Sequence, residues 1–377
     1  MKKIHGAPSY HLASDCVELY VTQTAGMLAP VTFRLGDAEF SPYALAPWKP
    51  DEVDPGLPDL LKVLRGDFLC LPFGPQDDGA PHGATANAEW SLVEQSPHTL
   101  HLALEPPDVG GHVEKLITLR PGHPAIYCEH RLRGVEGRFS YGNHPILDFS
   151  GLAEGQGRVT TSPFRWGSVN PGLFSDPAND EYQILVPGAA FTDLTKVPMA
   201  AEPPTAPANV DAAGHADLTR YPSRPGYEDL IMLVNEPACE AQPFAWTACV
   251  FEDCLWFSLK NPADFPATLF WISNGGRKAA PWNGRHLGRL GLEEVCSHFA
   301  DNVTSSRRDK LAAQDIPTTR EFLPGESVSL PIVQAAAAVP GGFGAVAAIT
   351  PGLEDRVTIT SETGAAVEAA VDWNFVL

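Results

Sequence analysis

A histidine and a carboxylate that meet at one substrate can move two protons in a single event. Imidazole exchanges its proton near neutral pH, and a carboxylate accepts one. Two segments of the chain offer these groups: His144 in Tyr141-Gly142-Asn143-His144-Pro145, and Glu293 in Gly291-Leu292-Glu293-Glu294. A second histidine, His82, lies in Pro81-His82-Gly83, where the glycine permits close backbone approach to a ligand. Arg65 carries a planar fork of donors suited to paired oxygen acceptors. Each residue also has a plainer reading: a strand-capping histidine, a turn histidine, a surface glutamate.

The two adjacent glutamates can be told apart by period. If Gly291 to Val295 is a strand, successive side chains point to opposite faces, so only one carboxylate enters a given cleft. Gly291, Glu293 and Val295 share one face, and Leu292 and Glu294 share the other. A glycine neighbour leaves room for a ligand beside Glu293. A leucine neighbour favours packing against protein on the Glu294 side, which predicts Glu294 as an exposed or salt-bridged residue.

The elements that must hold these residues are strands. The 36 prolines and 33 glycines interrupt the chain too often for long helices. Val17 to Pro42 reads as an opening hairpin turning at Thr24-Ala25-Gly26, and DLLKVL at 59–64 as a short helical turn over the sheet. Trp90 to Gly134 alternates as a β-meander, with turns such as PPDVGG and PGHP. YQILV, LIMLVN, AWTACVFE, CLWFSLK, ATLFWIS, GRLGLEEV and SVSLPIV continue the pattern, and the last forty or so residues read as an added hairpin. The fold class is therefore all-β and mostly antiparallel. Residues 196–227 interrupt the pattern with Pro198, Pro203, Pro204, Pro207, Pro222 and Pro225, and are expected to form an insertion at the rim of a site, as a lid or border. The organisation predicted is one domain over 1–335, with 336–377 as a β extension packed on it.

Charge and composition exclude several partners. Lys and Arg number 26 against 46 Asp and Glu, a net charge of −20, and there is no long basic run. Such a field repels nucleic acid and anionic membranes. Neither a signal-peptide core nor an apolar run long enough to span a bilayer is present, so the expected location is the cytoplasm. Seven scattered cysteines without a CxxC pair argue against a disulfide framework and a structural zinc site, and predict free buried thiols.

One segment carries a resemblance. LRGDFLCLPFGPQDDGAPHG, residues 64–83, resembles the part of the aldose 1-epimerases (galactose mutarotase-like superfamily) that runs from an arginine through an apolar strand and a Pro-x-Phe-Gly turn to His-Gly. The meander, YGNHPILDF, GRLGLEEV and REFLPGESVSLPIV follow in that family's order, so the similarity spans roughly residues 15 to 335. The resemblance implies a β-supersandwich with a sugar cleft on the concave face of one sheet. It makes His144 the general acid that protonates the ring oxygen and Glu293 the base that takes the C1 hydroxyl proton. Arg65, His82 and Asn143 would bind the sugar, with Trp166, Trp271 and Trp282 as candidate stacking platforms. It implies a small-molecule sugar as partner and no metal or organic cofactor, and leaves open whether the chain forms a homodimer.

The sequence departs from the family's branches. Gly83 is followed by Ala84-Thr85-Ala86, without the arginine that binds phosphate in hexose-6-phosphate epimerases, so an unphosphorylated sugar is expected. His144 is followed by Pro145-Ile146-Leu147-Asp148 rather than the aromatic-rich stretch of galactose mutarotases. These departures admit an alternative, a non-catalytic carbohydrate-binding or sensing protein of the same fold. A polysaccharide lyase trails, because no companion helical domain is visible.

Overall fold

The computed structural model describes residues 1–200 and 214–377. Its frame is two antiparallel sheets packed face to face. The nine-stranded sheet runs, in spatial order, Arg220–Tyr221, Gly157–Thr161, Ala245–Phe251, Cys254–Lys260, Ser327–Ala338, Ala125–Arg133, His112–Leu119, Thr99–Leu104 and Ser91–Gln95. The eight-stranded sheet includes Phe164–Val169, Tyr227–Asn235, Ala267–Asn274, Arg289–Cys296, Tyr141–Asn143 and Leu69–Cys70, with Ile146–Asp148 paired to Arg289–Cys296. A five-stranded N-terminal sheet, which contains the expected hairpin as Val17–Thr22 and Leu28–Leu35, adds Tyr10, Leu12, Val31 and Phe33 to the same core.

The central strands are buried on both faces, and their side chains sort by strict alternation. Ile231, Leu233, Phe270, Ile272, Leu290 and Leu292 fill the core between the two large sheets. Leu230, Met232, Leu269, Trp271 and Val295 point the other way, into a second cluster with Trp48, Leu60, Val63, Phe68 and Trp282. That second face carries the cavity described below, and the helical turn Asp59–Val63 helps wall it.

The outer face of the nine-stranded sheet is covered by the C-terminal residues. They form three strands, Val346–Pro351, Arg356–Ser361 and Ala366–Ala370, one more than a hairpin. Ile349, Val357 and Ile359 pack on Tyr127, Trp246 and Phe257. The strand Ser327–Ala338 runs unbroken through position 336 and is paired on both edges, so the backbone marks no boundary there. YQILV does not form the expected strand: the amides of Ile184 and Leu185 donate to the Asp229 carboxylate, at 3.1 Å each, instead of to a ladder. Of the proline-rich insertion, Pro203, Pro204 and Pro207 lie outside the described residues. Its flanks form the short pairs Val197–Pro198 with His215–Ala216, and Arg220–Tyr221 with Gly157–Thr161. All seven cysteines are unpaired; five are buried, Cys16 is half-buried and Cys239 is exposed. No helix among the described residues is long and apolar enough to cross a membrane.

Candidate active site

A cavity of about 440 Å³ opens on the second face of the eight-stranded sheet. Its floor comes from neighbouring strands: Leu230 pairs with Trp271 and Trp271 with Gly291, which sets Glu293 next along the same face. His144 follows the strand Tyr141–Asn143 and turns to the same side. Its backbone N–H donates to both Phe68 O, at 3.0 Å, and Asp67 Oδ1, at 2.9 Å. Asp67 Oδ2 in turn accepts from Gln334 Nε2 at 2.7 Å, so the histidine is anchored to a strand of the opposite sheet. The His144 ring stacks on Phe68, with centroids 4.7 Å apart and planes 16° from parallel.

His144 Nε2 and Glu293 Oε1 stand 3.1 Å apart, both side chains nearly fully buried. Burial pushes Glu293 up to about 8, against a smaller opposing pull from Arg277. Burial also holds His144 well below the usual histidine range, helped by the neighbouring His82. At neutral pH the pair therefore carries one proton, and desolvation places it on the carboxyl. A proton on either partner leaves the same net charge, and the gap between them is one hydrogen-bond length.

His82 lines the same cavity, its ring 5.4 Å from that of His144. Gly74 N–H donates to His82 Nδ1 at 3.2 Å. Burial pushes the ring down to about 4, so it is neutral with Nε2 carrying the proton, a fixed donor. Gly83 does not serve ligand approach: at φ 70° its bare α-carbon lies against the Leu71 carbonyl, 2.3 Å from where a Cβ would be. Nor does Gly291 leave empty room. Its missing Cβ is replaced by Glu293 Oε1 and Trp271, at 2.9 and 3.0 Å from the Cβ position, so the glycine lets the carboxylate fold back along its own strand.

The structure divides the remaining candidates. Trp271 and Trp282 line the cavity. Trp166 packs beside the same cluster, on the strand Phe164–Val169, without lining it. Arg65 does not reach the cavity. Its guanidinium is buried and donates to the backbone carbonyls of Val63, Ile4 and His5, so it ties the N-terminus to the wall and has no fork left for a sugar. Asn143 also faces away, because strand alternation puts it opposite His144 and beside its register partner Glu294. Its buried amide has no hydrogen-bond partner among the described residues. Glu294 lies between the sheets, fully buried and ion-paired with Lys260, so the salt-bridged alternative holds and the exposed one does not.

Phe68, Asn170 and Arg277 are among the cavity residues that were not anticipated. Phe68 lies inside the recognised 64–83 segment but reads as a core aromatic. Arg277 sits in a glycine- and proline-rich stretch without a motif, and the one available signal was its place between Trp271 and Trp282. Among the described residues no group of three or more His, Cys, Asp and Glu could hold a metal ion.

No protein-family model matches the sequence, and no curated protein matches it. Solved structures do. A galactose mutarotase related enzyme from Lactobacillus acidophilus superposes at a TM-score of 0.52 with 10% identity, over 89% of this chain and 99% of that one. A candidate aldose 1-epimerase from Escherichia coli K12 gives 0.57 with 13% identity, over 89% and 100%. The chain has the galactose mutarotase-like fold. A candidate aldose 1-epimerase from Klebsiella pneumoniae gives 0.56 with 14% identity over 86% of this chain and 77% of that one. At these identities the likeness is one of fold, and side-chain chemistry has to be judged on the cavity itself.

Proposed function

We propose that this mutarotase-like protein interconverts the anomers of an unphosphorylated sugar by acid–base ring opening and closure. The observation that carries this reading is the His144–Glu293 pair, 3.1 Å apart on the cavity floor. The two oxygens that must exchange protons in anomerisation, the ring oxygen and the C1 hydroxyl, are attached to the same carbon. Two groups this close can serve both.

Glu293 accepts no hydrogen bond from a described residue, which is why burial dominates its proton affinity. A C1 hydroxyl donating to it supplies the missing donor and favours the carboxylate. The proton then passes to His144. His144 donates to the ring oxygen as the C1–O bond breaks, Glu293 takes the C1 hydroxyl proton, and the open aldehyde forms. Rotation about the C1–C2 bond and reversal of both transfers close the ring as the other anomer. His82 Nε2–H and Asn170 are available to hold other hydroxyls, and Trp271 and Trp282 to stack on the sugar's C–H face.

The direct His144–Glu293 contact also favours a second reading. A sugar has to separate or straddle the two groups for chemistry, whereas a non-catalytic carbohydrate-binding protein needs only the cavity. Polarimetry of freshly dissolved aldoses separates the two. Faster mutarotation supports the enzyme, and saturable binding without acceleration selects the binding protein.

A further inference from the structure

Arg277 is the one lysine or arginine among the residues lining the cavity. Its guanidinium carbon lies 5.3, 5.4 and 5.1 Å from the ring centroids of Phe174, Trp271 and Trp282. Three aromatic faces hold the fork in place, which removes most of the ordering cost of binding an anion. Nε is 3.4 Å from Glu228 Oε1, an oxygen already taken by Trp271 Nε1–H at 2.8 Å. Burial pushes Glu228 up to about 7, so its charge compensates Arg277 only in part. The two terminal nitrogens of Arg277 make no hydrogen bond to a described residue.

Trp271 lies between this cation and the acid–base pair, its centroid 5.5 Å from the His144 ring and 5.4 Å from the Arg277 guanidinium. In a pyranose the C6 substituent is carried by the carbon next to the ring oxygen. With the ring oxygen at His144 and the ring edge beside Trp271, one orientation of the sugar turns C6 toward Arg277.

We propose that the substrate is a sugar acid, a hexuronate whose C6 carboxylate is gripped by Arg277 while C1 sits at His144 and Glu293. This rests on the anomer-exchange reading of that pair. A neutral hexose leaves the guanidinium with Glu228, which compensates it only in part, as its one close carboxylate. A phosphate dianion brings two charges to a single cation, beside Glu228 and Glu293 and in a chain of net charge −20. One planar carboxylate matches one planar fork in charge and geometry.

The test is calorimetric titration at low ionic strength with glucuronate and galacturonate, their parent hexoses, and glucose 6-phosphate. Wild type is expected to bind at least one hexuronate about tenfold or more tightly than its parent hexose and the 6-phosphate, a difference of about 1.4 kcal/mol or more. Arg277→Gln should bring the hexuronate and hexose affinities together, and Arg277→Lys should restore part of the gap. His144→Ala should keep the preference while losing exchange, so recognition and chemistry are read separately. Equal affinities in wild type, a preference that survives Arg277→Gln, or tighter binding of the 6-phosphate overturns the proposal. Arg277-dependent hexuronate binding without anomer exchange in wild type supports the carboxylate clamp and overturns the enzymatic reading beneath it.

Discussion

Replacing Glu294 by glutamine should cost far more stability than the same change one residue earlier. Glu294 Oε1 accepts from Thr247 at 2.9 Å and Ser258 at 2.8 Å, and Oε2 accepts from Thr268 at 2.8 Å and faces Lys260. Both ionic side chains have no exposed surface. Glutamine keeps the shape but leaves the lysine charge buried and uncompensated, a loss of about 3–5 kcal/mol. Discharging Lys260 sets a ceiling, since taking a lysine of ordinary pKa 10.5 to neutrality at pH 7 costs about 5 kcal/mol. At Glu293 the sign reverses. Its folded pKa of about 8 lies above its ordinary 4.5, so the stability its proton contributes is fully present below pH 4.5 and is lost as pH rises through about 8. Glu293→Gln avoids that loss and should match or exceed wild type at pH 7, gaining up to about 1.4 kcal/mol per pH unit inside that window. Urea unfolding of both variants at pH 5 and pH 7 gives these numbers directly. A Glu294→Gln cost under about 1 kcal/mol would show that the buried pair does not exist. Equal losses in both variants would place the two glutamates on the wrong faces.

Other consequences follow from the same placements. Arg65→Ala should lower stability by at least about 3 kcal/mol through three abandoned carbonyls, while the folded fraction keeps wild-type sugar affinity; calorimetry showing weakened binding by folded protein would return Arg65 to the site. The exchange rate should fall as pH rises past about 8, where the pair loses its shared proton, with the acid limb lying below the ordinary histidine pKa of 6.5. A pH–rate profile that climbs through 8 contradicts this. Asp67→Asn should weaken the anchoring of His144 and lower the turnover rate more than the affinity for sugar, and an unchanged turnover rate would remove Asp67 from that role.

What the sequence revealed follows from what strand period encodes. Alternation separated Glu293 from Glu294, because every residue from Leu290 to Val295 keeps its face when the strand is buried on both sides. The same rule, applied to Tyr141–Asn143, would have turned Asn143 away from the cavity as soon as His144 was turned toward it. Motif matching hid that step by treating the two neighbours as one feature. Arg65 misled for a different reason: a motif fixes a residue's place in the chain, but its three carbonyl partners come from the N-terminal strand region and the wall, which only tertiary structure brings together. Arg277 and Asn170 reach the cavity from loops and carry no periodic signal. The short-range reading of Gly291 found the right strand face but the wrong occupant, since the space its missing Cβ leaves is filled by Glu293 itself.

The central claim is that the His144–Glu293 pair moves protons on a sugar. Exchange NMR of a panel of aldoses and hexuronates, with wild type and His144→Ala at equal concentration, measures this most directly. The prediction is accelerated anomer exchange for at least one sugar, reduced in the folded variant by on the order of 10² to 10⁴. No acceleration of any sugar by wild type, or full activity in folded His144→Ala, would contradict it.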